Sequence, residues 1–279
     1  MFDIQTLFAS QHPHFYARHP GLSRIAIAVG RWLWKEREFK AFAAANPDAR
    51  GVELIARGFR YIDFDFDLRD SELAAIPASG PVLVIANHPL GYLDGVGLLK
   101  VLTAIRPDVK LILNTALHDM LGMQNHTIPV DNFRGSISKT ALRAIREQLD
   151  GGGVMVMFPA GQVSPVRAGH IVDAEWSASF FRFALQYQAP IVPVFIGGRN
   201  SLAFYLLAAV AGPFTNRILV LRELLQVKLL REMFSRQRGR RLPMRFGKPL
   251  NAAVIDRQFA AMDDKLAFVR TRLYALAKD

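Results

Sequence analysis

The stretch Pro81-Val82-Leu83-Val84-Ile85-Ala86-Asn87-His88-Pro89-Leu90-Gly91-Tyr92-Leu93-Asp94-Gly95 decides the fold. Its first half is a short apolar run rich in β-branched residues and closed by Pro89 and Gly91. That is the pattern of a strand buried on both faces of a parallel sheet. In such sheets ligands bind in the crevice beyond the carboxyl ends of the strands, so the run delivers His88 to the place where chemistry is expected. Asp94 follows six positions later. A carboxylate beside an imidazole fixes its tautomer and stabilises its charge while the ring accepts a proton, the general-base half of a serine-protease triad without the serine. A lone histidine after a strand is more often structural, so the pair takes its meaning from what accompanies it.

Three further blocks accompany it. Ile128-Pro129-Val130-Asp131-Asn132-Phe133-Arg134 places an arginine after a short apolar stretch, Phe158-Pro159-Ala160-Gly161-Gln162-Val163-Ser164 follows a second apolar run, and Pro190-Ile191-Val192-Pro193-Val194 carries a third. In this order the four blocks resemble the glycerolipid acyltransferase family, which includes 1-acylglycerol-3-phosphate O-acyltransferases and relatives labelled hemolysins. The resemblance spans residues 60 to 250. It implies that His88 is the catalytic histidine with Asp94 as its partner, and that Arg134 holds the anionic head group of the acceptor. It also implies that the Pro159–Gly161 block positions that acceptor and that the strand around Pro193 lines the site. Asn87, Pro159 and Gly161 are supporting residues of the substrate site. Their simpler roles are a helix cap at Asn87, a strand end at Pro159 and a tight turn at Gly161.

Two departures from the family pattern matter. Five residues separate His88 from Asp94 where the commoner pattern has four, the version of the hemolysin-like branch. Either the loop bulges or Asp94 reaches His88 from a different turn of the following helix. Ala160 stands where the third block usually has glutamate. Losing that carboxylate makes glycerol 3-phosphate a poorer expectation as acceptor. It favours lysophospholipids or N-acyl amino-acid lipids of the lyso-ornithine type.

A chain of 279 residues suffices for one large α/β domain with an added segment. Hydrophobic residues make up 51%, yet no run reaches the roughly 18 to 20 apolar residues of a spanning helix. The longest, Ser201 to Phe214, is broken by Gly212 and Pro213 and reads as a buried or interfacial helix. The absence of cysteine excludes disulfides, thiolate metal sites and cysteine nucleophiles. The first residues do not resemble an export signal, so the expected location is cytoplasmic, peripheral on the inner face of the cell membrane.

The net charge of +11 is concentrated. Between Asn216 and Arg245 nine basic residues face two acidic ones. Such a stretch suits anionic lipid head groups, an acidic acyl carrier protein or the phosphates of coenzyme A; a solvated face without a partner is the plainer alternative. Nucleic acid is not expected, because no aromatic residues interleave the arginines and no nucleic-acid motif accompanies them.

Residues 1–60 read as a separate helical segment and 61–279 as the catalytic domain. Leu22, Ile25, Ala26, Val29, Trp32 and Leu33 recur at helical spacing with Arg24, Arg31 and Lys35 on another side, giving an amphipathic helix that Asn46-Pro47-Asp48 ends. It suits a membrane interface or packing against the catalytic domain. His12, His14 and His19 fit no standard zinc spacing. Strands are expected at Val82–Ala86, Lys110–Leu113, Val154–Phe158 and Ile191–Ile196. Helices are expected at Gly95–Ala104, Ser136–Leu149 and Trp176–Gln188, with a last one carrying Phe259, Met262, Leu266, Val269, Leu273 and Leu276. The alternation argues for an α/β fold with a mostly parallel central sheet flanked by helices.

The nucleophile elbow, the Walker loop and the zinc-protease motif are missing, and Gly95-Val96-Gly97 lacks the third glycine of a dinucleotide fingerprint. Direct transfer from an acyl thioester, with acyl-ACP or acyl-CoA as co-substrate and no metal or other cofactor, is the chemistry these residues support. Backbone N–H groups near Gly161 or Gly91 are the expected oxyanion donors. Two other readings stay open: a non-catalytic membrane-binding protein, and a metal hydrolase using His88, Asp94 and His126.

Overall fold

The computed structural model describes residues 13–114, 123–130, 138–167, 169–211 and 235–278, together with positions 5, 8, 9, 228, 229 and 231–233. Helices α1 (Pro13–Arg18), α2 (Pro20–Trp34), α3 (Glu36–Ala44) and α4 (Gly51–Tyr61) precede strand β1 (Asp65–Asp67) and the short α5 (Asp70–Leu73). Then come β2 (Val82–Ala86), α6 (Tyr92–Thr103), β3 (Val109–Asn114), β4 (Thr127–Val130), α7 (Lys139–Asp150) and β5 (Val154–Met157). A hairpin of β6 (Val166–Arg167) and β7 (His170–Ile171) leads to α8 (Ser179–Gln186), β8 (Ile191–Ile196), α9 (Leu202–Ala211), β9 (Arg241–Phe246), α10 (Ala252–Gln258) and α11 (Met262–Ala275).

The main sheet has seven strands in the order β1-β9-β8-β2-β5-β3-β4. β8, β2, β5, β3 and β4 run parallel, while β9 pairs antiparallel with β8 and parallel with β1, so the two strands at that edge run the other way. Alternate residues of β2 serve opposite layers. Val82, Val84 and Ala86 face a core shared with Ile55 and Phe59 of α4, Phe66 of β1, and Leu98 and Leu102 of α6. Leu83 and Ile85 face a second core formed with Ile145 of α7, Phe180 and Phe181 of α8, and Val269 and Leu273 of α11. The helix after β2 and the helix after β5 therefore lie on opposite faces. Since β2 and β5 are neighbours, the crevice between their carboxyl ends is the topological switch point of the sheet.

Gly95 and Gly97 owe their presence to packing. A Cβ on Gly97 would stand 2.2 Å from the Phe66 ring and one on Gly95 2.9 Å from Leu111. These glycines let α6 lie flat on the sheet.

Several elements differ from expectation. β1, β4 and β9 were not foreseen: β1 has three residues, β4 contains Pro129, and β9 lies inside the basic stretch. The last helix is two, α10 and α11, with Phe259 between them. The N-terminal helix breaks at Lys35, whose φ of 56° is left-handed, long before Asn46. Its buried line is Ser23, Ile27 and Gly30. The apolar stripe faces outward, with Leu22 57%, Ile25 62%, Val29 42% and Trp32 67% exposed. The basic stretch is partly engaged as well. Arg245 donates to the Asp67 carbonyl at 2.6 Å and to its carboxylate at 2.5 Å, Arg238 pairs with Glu38, and the Arg231 guanidinium sits 4.6 Å from the centre of the Trp32 ring. Among the described residues no helix is long and apolar enough to cross a membrane.

Candidate active site

Buried β2 ends at Ala86, and the next five residues are fastened to their surroundings one by one. The Asn87 amide, 3% exposed, donates to the Ile196 carbonyl at 2.8 Å and accepts from the Ile196 N–H at 2.7 Å. It ties the loop to the end of β8, so its side chain caps no helix. The His88 carbonyl accepts from Ser164 N–H at 2.8 Å, and the Pro89 carbonyl accepts from the Asn200 amide at 3.0 Å. Leu90 and Gly91 donate their N–H groups to Oδ2 of Asp94 at 2.9 and 3.0 Å.

The last two bonds explain how Asp94 meets His88 across five intervening residues. Gly91 takes a φ of 82°, open to glycine, and a Cβ there would meet Leu229 at 3.1 Å. Helix α6 starts at the next residue, and Asp94 at its third position reaches back to collect the N–H groups of the two residues before the helix, a capping arrangement that also suits the helix dipole. The same Oδ2 stands 3.0 Å from Nδ1 of His88. That is ion-pair distance once the ring is protonated, although the approach is off the line of an ideal hydrogen bond. The other oxygen, Oδ1, is buried without a hydrogen-bond partner among the described residues. Burial pushes the Asp94 carboxyl above the usual carboxylate range, against the pull of His88 and of the two N–H groups.

The His88 ring is 19% exposed and stacks on Phe158, with centroids 4.1 Å apart. Phe158 opens the third block and Ser164 ends it, so the first and third blocks meet across the switch point through this stack and the Ser164–His88 hydrogen bond. Pro159 is buried and its carbonyl accepts from Ser177 N–H at 2.9 Å. Gly161, with φ 64°, closes a turn onto the Phe158 carbonyl at 3.0 Å and has open space above it. Pro193 lies in β8, paired with Ile85 of β2. Arg134 lies outside the described residues. His126 bonds the Val109 carbonyl at 3.0 Å through Nδ1, at the far end of β3 from His88.

Sequence reasoning missed two buried residues. Asp173, fully buried, accepts from the His88 N–H at 3.2 Å, from the Ser164 hydroxyl at 2.5 Å and from the Trp176 indole at 3.0 Å. Asn200, 1% exposed, holds Pro89 and donates its backbone N–H to the Tyr205 hydroxyl at 3.2 Å. Neither belongs to a block, and Asp173 lies 85 positions from His88. The only available signal was its place nine positions after a block already singled out.

A family model described as acyltransferase matches residues 13–279. The chain is similar to the lyso-glycine lipid O-acyltransferase of Bacteroides thetaiotaomicron, with 27% identity over 92% of this chain and 91% of that one. The protein of the same name from Phocaeicola vulgatus is 24% identical over 92% and 88% of the two chains. Its fold resembles the crystal structure of the 1-acyl-sn-glycerophosphate acyltransferase PlsC from Thermotoga maritima, with a TM-score of 0.50 and 17% identity, covering 99% of this chain and 94% of that one. A mostly parallel sheet with the histidine block at its switch point and a family match across nearly the whole length lead to one conclusion: the chain belongs to the acyltransferase family.

Proposed function

We propose that the chain transfers a fatty acyl group from an acyl thioester, carried by acyl carrier protein or coenzyme A, to the hydroxyl of a lysolipid acceptor in membrane lipid biosynthesis. The observation that carries this reading is the part-exposed imidazole of His88 backed by the buried carboxylate of Asp94 at the switch point. Nδ1 faces Asp94, which leaves Nε2 for the acceptor. His88 takes the hydroxyl proton, the oxygen attacks the thioester carbonyl, the C–S bond breaks, and the departing thiolate recovers the proton from the imidazolium. Asp94 supports the imidazolium between these steps. The Gly161 and Gly91 N–H groups, expected as oxyanion donors, are engaged by the Phe158 carbonyl and by Asp94, each at 3.0 Å.

The acceptor is a lysolipid with an amino-acid head group. Ala160 in place of glutamate and two curated relatives named for a lyso-glycine lipid favour it. Its carboxylate matches the bidentate fork of an arginine, the role the family pattern assigns to Arg134. The acceptor arrives from a membrane. The outward stripe of Leu22, Ile25, Val29 and Trp32, with Leu202 73% and Leu206 59% exposed on α9, supports a peripheral location on the inner, anionic face of the cell membrane. Replacing Leu22 and Ile25 together by serine weakens vesicle binding by about 10-fold, measured by co-sedimentation.

The deciding experiment is thiol release by the purified protein from acyl-ACP and acyl-CoA, with and without lyso-glycine lipid, lyso-ornithine lipid, lysophospholipids and glycerol 3-phosphate. Release that needs one acceptor and vanishes in His88→Ala establishes the reaction and its substrate class. Absence of release with every pair, or equal release in the variant, overturns the reading.

A further inference from the structure

Asp173 has no place in any of the four blocks, yet it touches two of them. It follows the β6–β7 hairpin, and its backbone is pinned from the carboxy-terminal helix: its N–H donates to the Tyr274 hydroxyl at 2.9 Å, and its carbonyl accepts from Arg270 at 2.6 Å. From that anchorage the carboxylate gathers three neutral donors. Oδ1 takes the His88 N–H and the Ser164 hydroxyl, and Oδ2 takes the Trp176 indole N–H.

A carboxylate without exposure to water is costly unless its lone pairs are filled. Here three charge-assisted hydrogen bonds fill them, each stronger than its neutral counterpart. A neutral amide could not reproduce the set, because asparagine has one acceptor oxygen and would turn its NH2 group toward one of three donors. The arrangement also runs both ways across the site. Ser164 sends its hydroxyl to Asp173 and its N–H to the His88 carbonyl. His88, the end of the third block and Asp173 thus form a closed ring of hydrogen bonds. The Phe158–His88 stack lies within the segments that this ring joins.

We infer that Asp173 is a positioning residue for the acyl transfer. It locks the loop that carries the general base to the loop that shapes the acceptor site, and holds the pair against α11. The inference rests on the acyl-transfer reading and adds to it a residue that touches neither substrate. Its action is through His88: loosening the ring lets the imidazole drift from the acceptor hydroxyl, and misplacement of about 1 Å costs on the order of 10²-fold in rate.

The test is a pair of substitutions. Asp173→Asn keeps shape and volume and sets its amide against the Trp176 N–H, while Trp176→Phe removes that donor. Expected for Asp173→Asn is a fall in kcat of about 10²-fold, with KM for thioester and acceptor within about threefold, the signature of an interaction that serves the transition state. In the Trp176→Phe background the same Asn substitution costs only a few-fold, because its amide no longer faces a donor. The His88 amide proton, assigned by NMR in the resting protein, moves upfield when its acceptor loses its charge. A folded Asp173→Asn protein with unchanged kcat, a loss equal in both backgrounds, or an unmoved His88 amide overturns the inference. If the wild-type protein itself shows no acceptor-dependent thiol release, the acyl-transfer reading falls, and the amide signal still decides whether the ring holds the loop.

Discussion

The two ends of the parallel sheet treat buried charge in opposite ways. At the amino ends, Arg106 is 5% exposed and each of its five N–H groups has an acceptor. Nε and one N–H bond the Asp108 carboxylate at 3.0 and 2.5 Å, and the others bond the carbonyls of Pro77 and Gly80 at 3.0 and 2.9 Å and of Gly152 at 2.7 Å. These acceptors lie just before β2, β3 and β5, so one guanidinium ties three strand entrances together. At the carboxyl ends Asp173 is filled, but Asp94 is buried with one oxygen that has no partner among the described residues, and the side-chain oxygen of Asn200 has none there either. One end is saturated and stabilises the fold. The other keeps unfilled acceptors beside His88, the kind of local cost that persists where it serves chemistry.

The contrast sets the order of the predictions. His88→Ala removes the proposed proton acceptor and lowers kcat by about 10²- to 10⁴-fold, while urea unfolding stays within about 1 kcal/mol of wild type, because the loop is fastened through backbone groups and only the Phe158 stack and the Asp94 pair are lost. Arg106→Ala does the reverse. It leaves three carbonyls and a carboxylate without their partner and costs about 3–5 kcal/mol in urea unfolding, with kcat of the folded fraction unchanged. If either variant lowers both quantities, the division between the two ends fails.

Asp94→Asn keeps an oxygen for the Leu90 and Gly91 N–H groups but removes the charge that supports an imidazolium. A kcat loss of about 10²-fold is expected, with unfolding stability equal to or above wild type because a buried charge is gone. The smallest effect is in the pH dependence of stability, where the ends carry opposite signs. Asp94 is raised in the folded state, so its contribution is fully present below the unfolded carboxylate value and is lost as pH rises through the folded one. The Arg106 hydrogen bonds hold Asp108 below the usual carboxylate range, so its contribution is present above the unfolded value and is lost as pH falls through the folded one. Asp94→Asn accordingly flattens the stability curve above the ordinary carboxylate range, and Asp108→Asn flattens it below. Unfolding midpoints across pH 3 to 8 check both, with the range set by about where carboxylates and histidine titrate.

The difference between the ends also explains what could be read from the sequence. The strands that frame the switch point are continuous apolar runs, and Val82–Ala86 and Val154–Met157 announce burial on both faces. Asn87-His88 at the end of one of them brought the proposed base into view. Asp173 and Arg106 carry no such sign, because a single charged residue looks the same in sequence whether solvated or enclosed. β9, Arg-Leu-Pro-Met-Arg-Phe, was hidden by its own arginines, although Arg245 is 9% exposed and spends its charge on Asp67. On α2 the periodicity was legible and its direction was not. The spacing of Leu22, Ile25, Val29 and Trp32 marks a face, and only the packing of Ile27 against Tyr92 and Phe8 shows that this face turns outward.

The pairing of β1 with β9 has a consequence for the order of folding. Asp65, Phe66 and Asp67 take their strand partners from Arg241, Leu242 and Pro243. Loop closure over so long a span comes late, because its entropic cost precedes any reward from the contact. The edge strand waits for a partner far along the sequence, while the parallel strands at the centre pair over shorter spans. The centre of the sheet is thus expected to pair before this edge, and β9 to close over β1 afterwards.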